Sequence, residues 1–189
     1  MKRKVYILLT DTGTIFTRMI KLYTKKPLNH ASIAFDEQLQ EVYSFGRKKQ
    51  RNPFIGGFVR ENTRKGLFEK AKCAIYCCSL TDQQFQEINR IIDEMDKHKH
   101  HYRYNLIGLV AVMLNMEFER KNAYFCSQFV ASVLEESGIR LVKNKPLSLV
   151  TPNDIKESPQ LELVYEGSLS SYLGKEQPSY RNHLRVKAV

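Results

Sequence analysis

The stretch KNAYFCSQFVASVLEESG, residues 121–138, sets a cysteine at the head of a segment with helical periodicity. Cys126, Phe129, Val130, Val133 and Leu134 recur at i, i+3, i+4, i+7 and i+8, which puts the thiol on the apolar face. Free cysteine is among the most buried residue types, so this pattern alone describes core packing. A thiol in a first helical turn also faces unpaired N–H groups and the positive end of the helix dipole. Both favour thiolate, and the same N–H groups can hold an oxyanion. A nucleophile of that kind needs a base, and the chain has five histidines. His98, His100 and His101 lie in the charge-dense DKHKHHYRY, where solvated cations suit a helix C-terminus. An H-x-H metal site there lacks a cysteine or carboxylate pair at supporting spacing, so no metal is expected. His183 lies in the basic tail. His30 opens HASIAFD and shares a strand face with Ser32 and Ala34, while Ile33 and Phe35 point the other way. Those small neighbours leave room for another group beside the ring.

The elements that must position these residues follow from patterning. Val5 to Thr10 reads as a first strand, and the stripe Phe16, Met19, Ile20, Tyr23 as a helix that stops at Pro27. HASIAFD and EVYSFG flank a polar turn and predict an antiparallel hairpin over about 30–46. The segment 47–66, with its basic, Asn and Gly residues around PFIGGFV, reads as a long excursion that could cover a site. KCAIYCCSL predicts a strand with Cys73, Ile75 and Cys77 on one face and Cys78 on the other. TDQQFQEINRIIDEM predicts a helix behind a Thr81–Gln84 capping box. Further helices are expected near 105–116, where LIGLVAVML is too short to span a membrane and reads as a buried helix, and near 125–137, closed by Gly138. TPND at 151–154 has helix-start character, and LELVYEG reads as a last strand. The order β-α-β-β-β-α-α-α-β, joined mostly by hairpins, predicts an α+β domain.

The chain of 189 residues, 42% hydrophobic and 26% charged, is expected to form one domain over 1–189 with a tail that frays from about 175. The basic start and apolar run of MKRKVYILLT stop at Asp11 without a small-residue cleavage site. The other long apolar run is too short to span a bilayer. The expected location is therefore the cytoplasm, where four cysteines stay thiols. A net charge of +10 attracts anions of any kind. Basic clusters such as RKKQR permit nucleic acid, but no nucleic-acid motif accompanies them, so no specific nucleic acid is expected.

His30 leading NHASIAFD, then EVYSFG, then YFCSQFVASVLEESG and TPND, together resemble the circularly permuted branch of the NlpC-type papain-like cysteine hydrolases, close to YiiX-like proteins. The similarity spans about 28–167. It implies an antiparallel sheet packed against helices that include the cysteine helix. It also implies a cysteine amidase or peptidase acting on a small peptide or amide through a thioester, without a cofactor. Cys126 is carried over as nucleophile and His30 as general base and acid. The family's third polar group, which orients the histidine, falls on Ser44; Glu41 would take that place if the hairpin register shifted, and is otherwise a solvated turn residue. Tyr124 matches the aromatic before the nucleophile and either lines the oxyanion site or packs under the helix. Arg60 could approach a substrate carboxylate from the covering segment or be merely solvated. Lecithin-retinol acyltransferase relatives share the permuted order, so lipid acyl chemistry is the alternative, with TIFTRMIKLY as a contact for an anionic membrane. A non-catalytic binding module is the third reading.

Overall fold

The chain is built around β1 (Arg3–Asp11), whose residues Val5 to Leu9 are buried on both faces. This computed structural model describes residues 3–13, 26–49 and 52–175. The expected helix at Phe16–Tyr23, with TIFTRMIKLY, and the tail beyond 175 lie outside the described residues.

Hydrogen bonding joins β1 to β2 (His30–Ala34) and β5 (Lys72–Leu80), and β3 (Val42–Lys49), β4 (Asn52–Glu61) and β8 (Glu162–Ser168) complete the sheet. The order is β4-β3-β2-β1-β5-β8, antiparallel at every pairing. Because side chains alternate across a strand, the sheet presents two apolar faces. Val5, Ile7, Leu9, Ile33, Phe45 and Cys78 build the core beneath the helices α1 (Asp82–Lys97) and α3 (Cys126–Glu136). Tyr6, Leu8, Cys73, Ile75 and Cys77 join Phe68, Leu169 and Tyr172 on the other side. The cysteines of β5 divide between the faces as their alternation requires. Each fully buried aliphatic chain contributes about 1.5–3 kcal/mol, which is why β1 is so apolar.

The Thr81–Gln84 capping box starts α1, and its Ile88, Ile91, Ile92 and Met95 are buried. Every residue from Cys126 to Leu134 of α3 is buried, so its sequence stripe understates its burial. Gly138, at φ 83°, ends it in the left-handed conformation that glycine adopts without strain. A second capping box, Thr151 with Asp154, starts the short α4 (Pro152–Lys156).

Two expectations fail. The segment 47–66 is no covering loop, because its start ends β3 and half of it is β4, an edge strand paired with β3 from Val42–Glu61 to Lys49–Asn52. Pro53, Gly56 and Gly57 suggest a loop, yet an edge strand tolerates proline, and the glycines admit another segment. A Cβ at Gly56 would lie 2.8 Å from both the Gly46 carbonyl oxygen and Tyr104 Cβ. At Gly57 it would lie 2.6 Å from the Tyr102 carbonyl oxygen. The tyrosine contacts come from β6 (Arg103–Tyr104) and its approach, and β6 pairs in parallel with β7 (Ala123–Tyr124). Second, α2 (Leu106–Met113) is not fully buried: Ile107 is 56% and Val110 49% exposed. A final helix, α5 (Leu169–Lys175), carried no helical signal in the sequence reading.

The Gly56 contact predicts that Gly56→Ala costs about 1–3 kcal/mol through overpacking. For a chain of this length the midpoint of thermal unfolding should fall by roughly 2–10 °C. An unchanged midpoint would mean that β6 can retreat from β4 freely.

Candidate active site

His30 is the first residue of β2, held in register with Thr10 of β1. Cys126 is the first residue of α3, delivered by β7 and preceded by Phe125, whose side chain caps nothing. With no capping side chain, the first-turn N–H groups remain available to other acceptors. The backbone N–H groups of Ala31 and Ser127 favour the thiolate form of Cys126. Ala31 belongs to β2, so the start of the helix packs on the strand that carries the histidine.

His30 and Cys126 act on each other through hydrogen bonding and charge, each shifting the other's pKa. On the ring's other edge, Nε2 meets Glu61 Oε1 at 2.8 Å. Nδ1 is thus the nitrogen left for the thiol. The Glu61 carboxylate also accepts from Ser32 Oγ at 2.6 Å and Ser44 Oγ at 2.7 Å. The ladder between β2 and β3 comprises only Ile33–Tyr43 and Ala34–Val42. Beyond it the two strands are linked through these side chains and the last residue of β4. Gly46 keeps that link open, since a Cβ there would lie 3.2 Å from Ser44 Oγ and 3.3 Å from Glu61 Oε1.

Buried charge is costly unless paired and hydrogen-bonded, and each member of this chain is. Burial pushes the Glu61 carboxyl upward, but the His30 charge and bonds from His30, Ser32 and Ser44 outweigh it, so its pKa is lowered. Burial likewise lowers His30, yet the Glu61 charge and the bonds to Cys126 and Glu61 carry it well above the ordinary imidazole value. For Cys126, burial raises the thiol, while the hydrogen bond and charge of His30 and the two backbone N–H groups bring it below its usual value. An imidazolium beside a thiolate is the ionic form these shifts favour.

The structure thus brings Cys126 and His30 together, and puts Glu61 where Ser44 or Glu41 was expected. Ser44 supports the carboxylate and not the ring. Glu41 is exposed and meets Arg60 Nη2 at 3.3 Å. The hairpin register is therefore the unshifted one, with Val42 opposite Ala34. Arg60 lies over the Tyr43 ring, 5.9 Å from its centroid, and borders the cavity described next. Tyr124 packs its ring against Phe45 with centroids 5.1 Å apart, the packing alternative of the two weighed above. The residue that sequence reasoning missed beside the thiol is Tyr104. Its phenol is pushed well up by burial and by the charge of Cys126, while Arg47 opposes the shift. Tyr104 pairs with Tyr124 across β6 and β7, which sets it next to the start of α3.

A cavity of about 700 Å³ opens beside this chain, bordered by His30, Glu61 and Tyr104 among others. Cys126, only 4% exposed, does not itself line it. Of the residues that border the cavity, His30 and Tyr104 are the two whose pKa shifts register Cys126. No family model and no curated protein matches the chain. Among solved structures, the metalloprotein YiiX from Escherichia coli O157:H7 (DUF1105) superposes with a TM-score of 0.56 over 87% of this chain and 97% of that chain. The fold is YiiX-like. The two sequences are 14% identical, so the likeness to YiiX extends to the fold alone. Within this YiiX-like frame, the described residues hold no group of three His, Cys, Asp or Glu side chains suited to a metal ion. His98 and His101 stack on each other at 6.1 Å. No helix among the described residues is long and apolar enough to cross a membrane.

Proposed function

We propose that the protein is a cysteine hydrolase of the permuted papain-like kind, cleaving an amide or peptide bond through a thioester on Cys126. The supporting observation is the series thiol, imidazole, carboxylate: His30 Nε2 lies 2.8 Å from Glu61 Oε1, and Cys126 and His30 shift each other's pKa toward the thiolate–imidazolium form. In this reading the thiolate attacks the carbonyl carbon and forms a C–S bond. The oxyanion so produced is held by N–H groups at the head of α3 and by the Tyr104 phenol. The His30 imidazolium gives its proton to the leaving nitrogen, the C–N bond breaks, and a thioester remains. Water then attacks the thioester while neutral His30 takes its proton. Collapse releases the acid and restores thiolate beside imidazolium. Glu61 keeps the ring turned toward sulfur and stabilises its cationic form, and Ser32 and Ser44 hold Glu61.

The metalloprotein name of YiiX raises the question of a metal at this position. His30 spends one ring edge on Glu61 and the other on Cys126. The carboxylate and the thiol therefore lie on opposite sides of the imidazole and do not converge on one ion. These residues do not fit a metal centre, and no step is routed through one.

A lipid acyl ester as substrate is the second reading. It draws on the exposed Ile107, Val110, Leu114 and Met116 of α2 and the residues after it, apolar side chains suited to a lipid surface. One experiment separates the two. A peptidyl electrophile and an acyl-ester probe are each incubated with the protein, and adducts are mapped by mass spectrometry. The amidase reading expects a peptidyl adduct on Cys126 alone. Burial raises the thiols of Cys77 and Cys78, and that of Cys73 to about 12, which keeps them unreactive. Adducts from the ester probe only would overturn the amidase reading in favour of the lipid one, and no Cys126 adduct from either would overturn both.

A further inference from the structure

The cavity beside His30 is bordered by Arg47, Lys48, Arg60, Lys65 and Lys99, against the carboxylates of Glu61 and Asp96. Glu61 is committed to His30, Ser32 and Ser44. Asp96 meets Lys99 at 3.3 Å, and Arg60 meets Glu41 at 3.3 Å. Lys48 and Lys65 have no carboxylate within ion-pair distance among the described residues. Lys48 is nevertheless held in place. Its Nζ donates to the Lys99 carbonyl oxygen at 3.2 Å, which uses one of three ammonium donors. Its stem crosses β4 at Gly57, where a Cβ would lie 2.9 Å from Lys48 Cε and 3.1 Å from Nζ. The glycine thus clears the path that lets Lys48 border the cavity. Lys65 stands on another wall, just before the turn Gly66–Phe68, and Phe68 packs 6.4 Å from the His30 ring centroid.

Two cations with no counter-charge among the described residues, on separate elements around one concavity, focus a positive potential into it. We infer that the cavity selects its substrate by a negative charge, a carboxylate or phosphate borne away from the scissile bond, and that Lys48 and Lys65 bind that charge. A volume of about 700 Å³ suits a small anionic amide, with the apolar walls supplying contact area and the ammonium groups fixing orientation. The word substrate rests on the hydrolase reading; the anion site does not.

Two measurements keep them apart. In the first, iodoacetate and iodoacetamide alkylate Cys126, the thiolate displacing iodide in both, and the ratio of the two rates reports the field at the sulfur. The ratio is expected to fall about tenfold in the Lys48→Gln/Lys65→Gln double variant, mainly through iodoacetate, and to fall in the wild type as salt rises. Lys48→Arg should preserve it. In the second, the Cys126→Ala protein is titrated with glutarate and, separately, with inorganic phosphate, following amide NMR shifts of residues 46–48 and 57. Saturable shifts that vanish in the Lys48→Gln/Lys65→Gln background support the site, and the tighter anion identifies carboxylate or phosphate as its preference. A salt-independent ratio unchanged by the double substitution, or the absence of saturable shifts with both anions, would overturn the inference. Saturable binding with an unreactive Cys126 would uphold the anion site and overturn the hydrolase reading alone.

Discussion

Replacing His30 by Gln is expected to slow iodoacetamide alkylation of Cys126 at pH 6 by roughly 10²-fold or more. The thiolate is the reacting form, and an unperturbed thiol near pKa ~8.5 is ionised to well under about 1% at that pH. In the native protein the imidazolium bond and charge overcome the burial that opposes ionisation of Cys126. Without the ring, two backbone N–H groups remain to offset that burial, and the thiol pKa rises. The loss should shrink as pH rises and both proteins approach full ionisation, because the substitution changes the fraction of thiolate more than its reactivity. A wild-type rate that climbs only near pH 8.5, indistinguishable from the variant, would show that His30 does not activate the sulfur. Circular dichroism of the variant guards against an unfolding artefact that would expose the thiol.

The meeting of His30 and Cys126 could be anticipated because each opens an element with strong local patterning. A strand that alternates and a helix with an unbroken apolar stripe fix where their first residues go. Glu61 could not be anticipated in the same way. It ends a strand whose interior carries Pro53, Gly56 and Gly57, residues that locally favour a turn. Their reason is tertiary: Gly56 and Gly57 lie against Tyr104, Tyr102 and Lys48, which are remote or on the facing strand. Once β4 is known to pair with β3, Ser44 opposite Val59 puts Glu61 two residues further along the same face, beside the serine already singled out. Ser44 was thus in the right place with the wrong bond. Hydropathy alone also misjudged α2, since an apolar run does not say whether another element covers it. Tyr104 sits in a two-residue strand, too short to leave a periodic signal.

Glu61→Gln is expected to lower kcat/KM for amide hydrolysis by roughly 10³- to 10⁴-fold, the scale seen when the carboxylate behind a catalytic histidine becomes an amide. Glutamine preserves the shape of the side chain and can still meet the ring and the two serines, so this variant tests charge. Burial alone lowers His30, and the charge of Glu61 is the largest influence opposing it. Without that charge the imidazolium and its thiolate partner are both disfavoured. If Glu61 acts through His30, its substitution should also move a quantity that mere packing would not: the alkylation profile of Cys126 should shift toward higher pH.

Stability should follow the same pair with opposite signs at the two ends of the pH scale. Glu61 has a depressed folded pKa, so its contribution is present above its unfolded value near ~4.3 and is lost as pH falls through the folded one. His30 has a raised folded pKa, so its contribution is full below ~6.5 and is lost as pH rises through the folded value. The difference in unfolding midpoint between wild type and Glu61→Gln is therefore expected to be widest between about pH 4.3 and 6.5 and to narrow toward both extremes. Glu61→Leu, which strands a buried imidazole and two hydroxyls, should cost more, about 3–5 kcal/mol in chemical denaturation. A gap between wild type and Glu61→Gln that does not vary with pH would mean that the carboxylate and imidazole are not an ion pair, and Glu61 would then be a structural hydrogen-bond acceptor with no part in setting the charge on the ring.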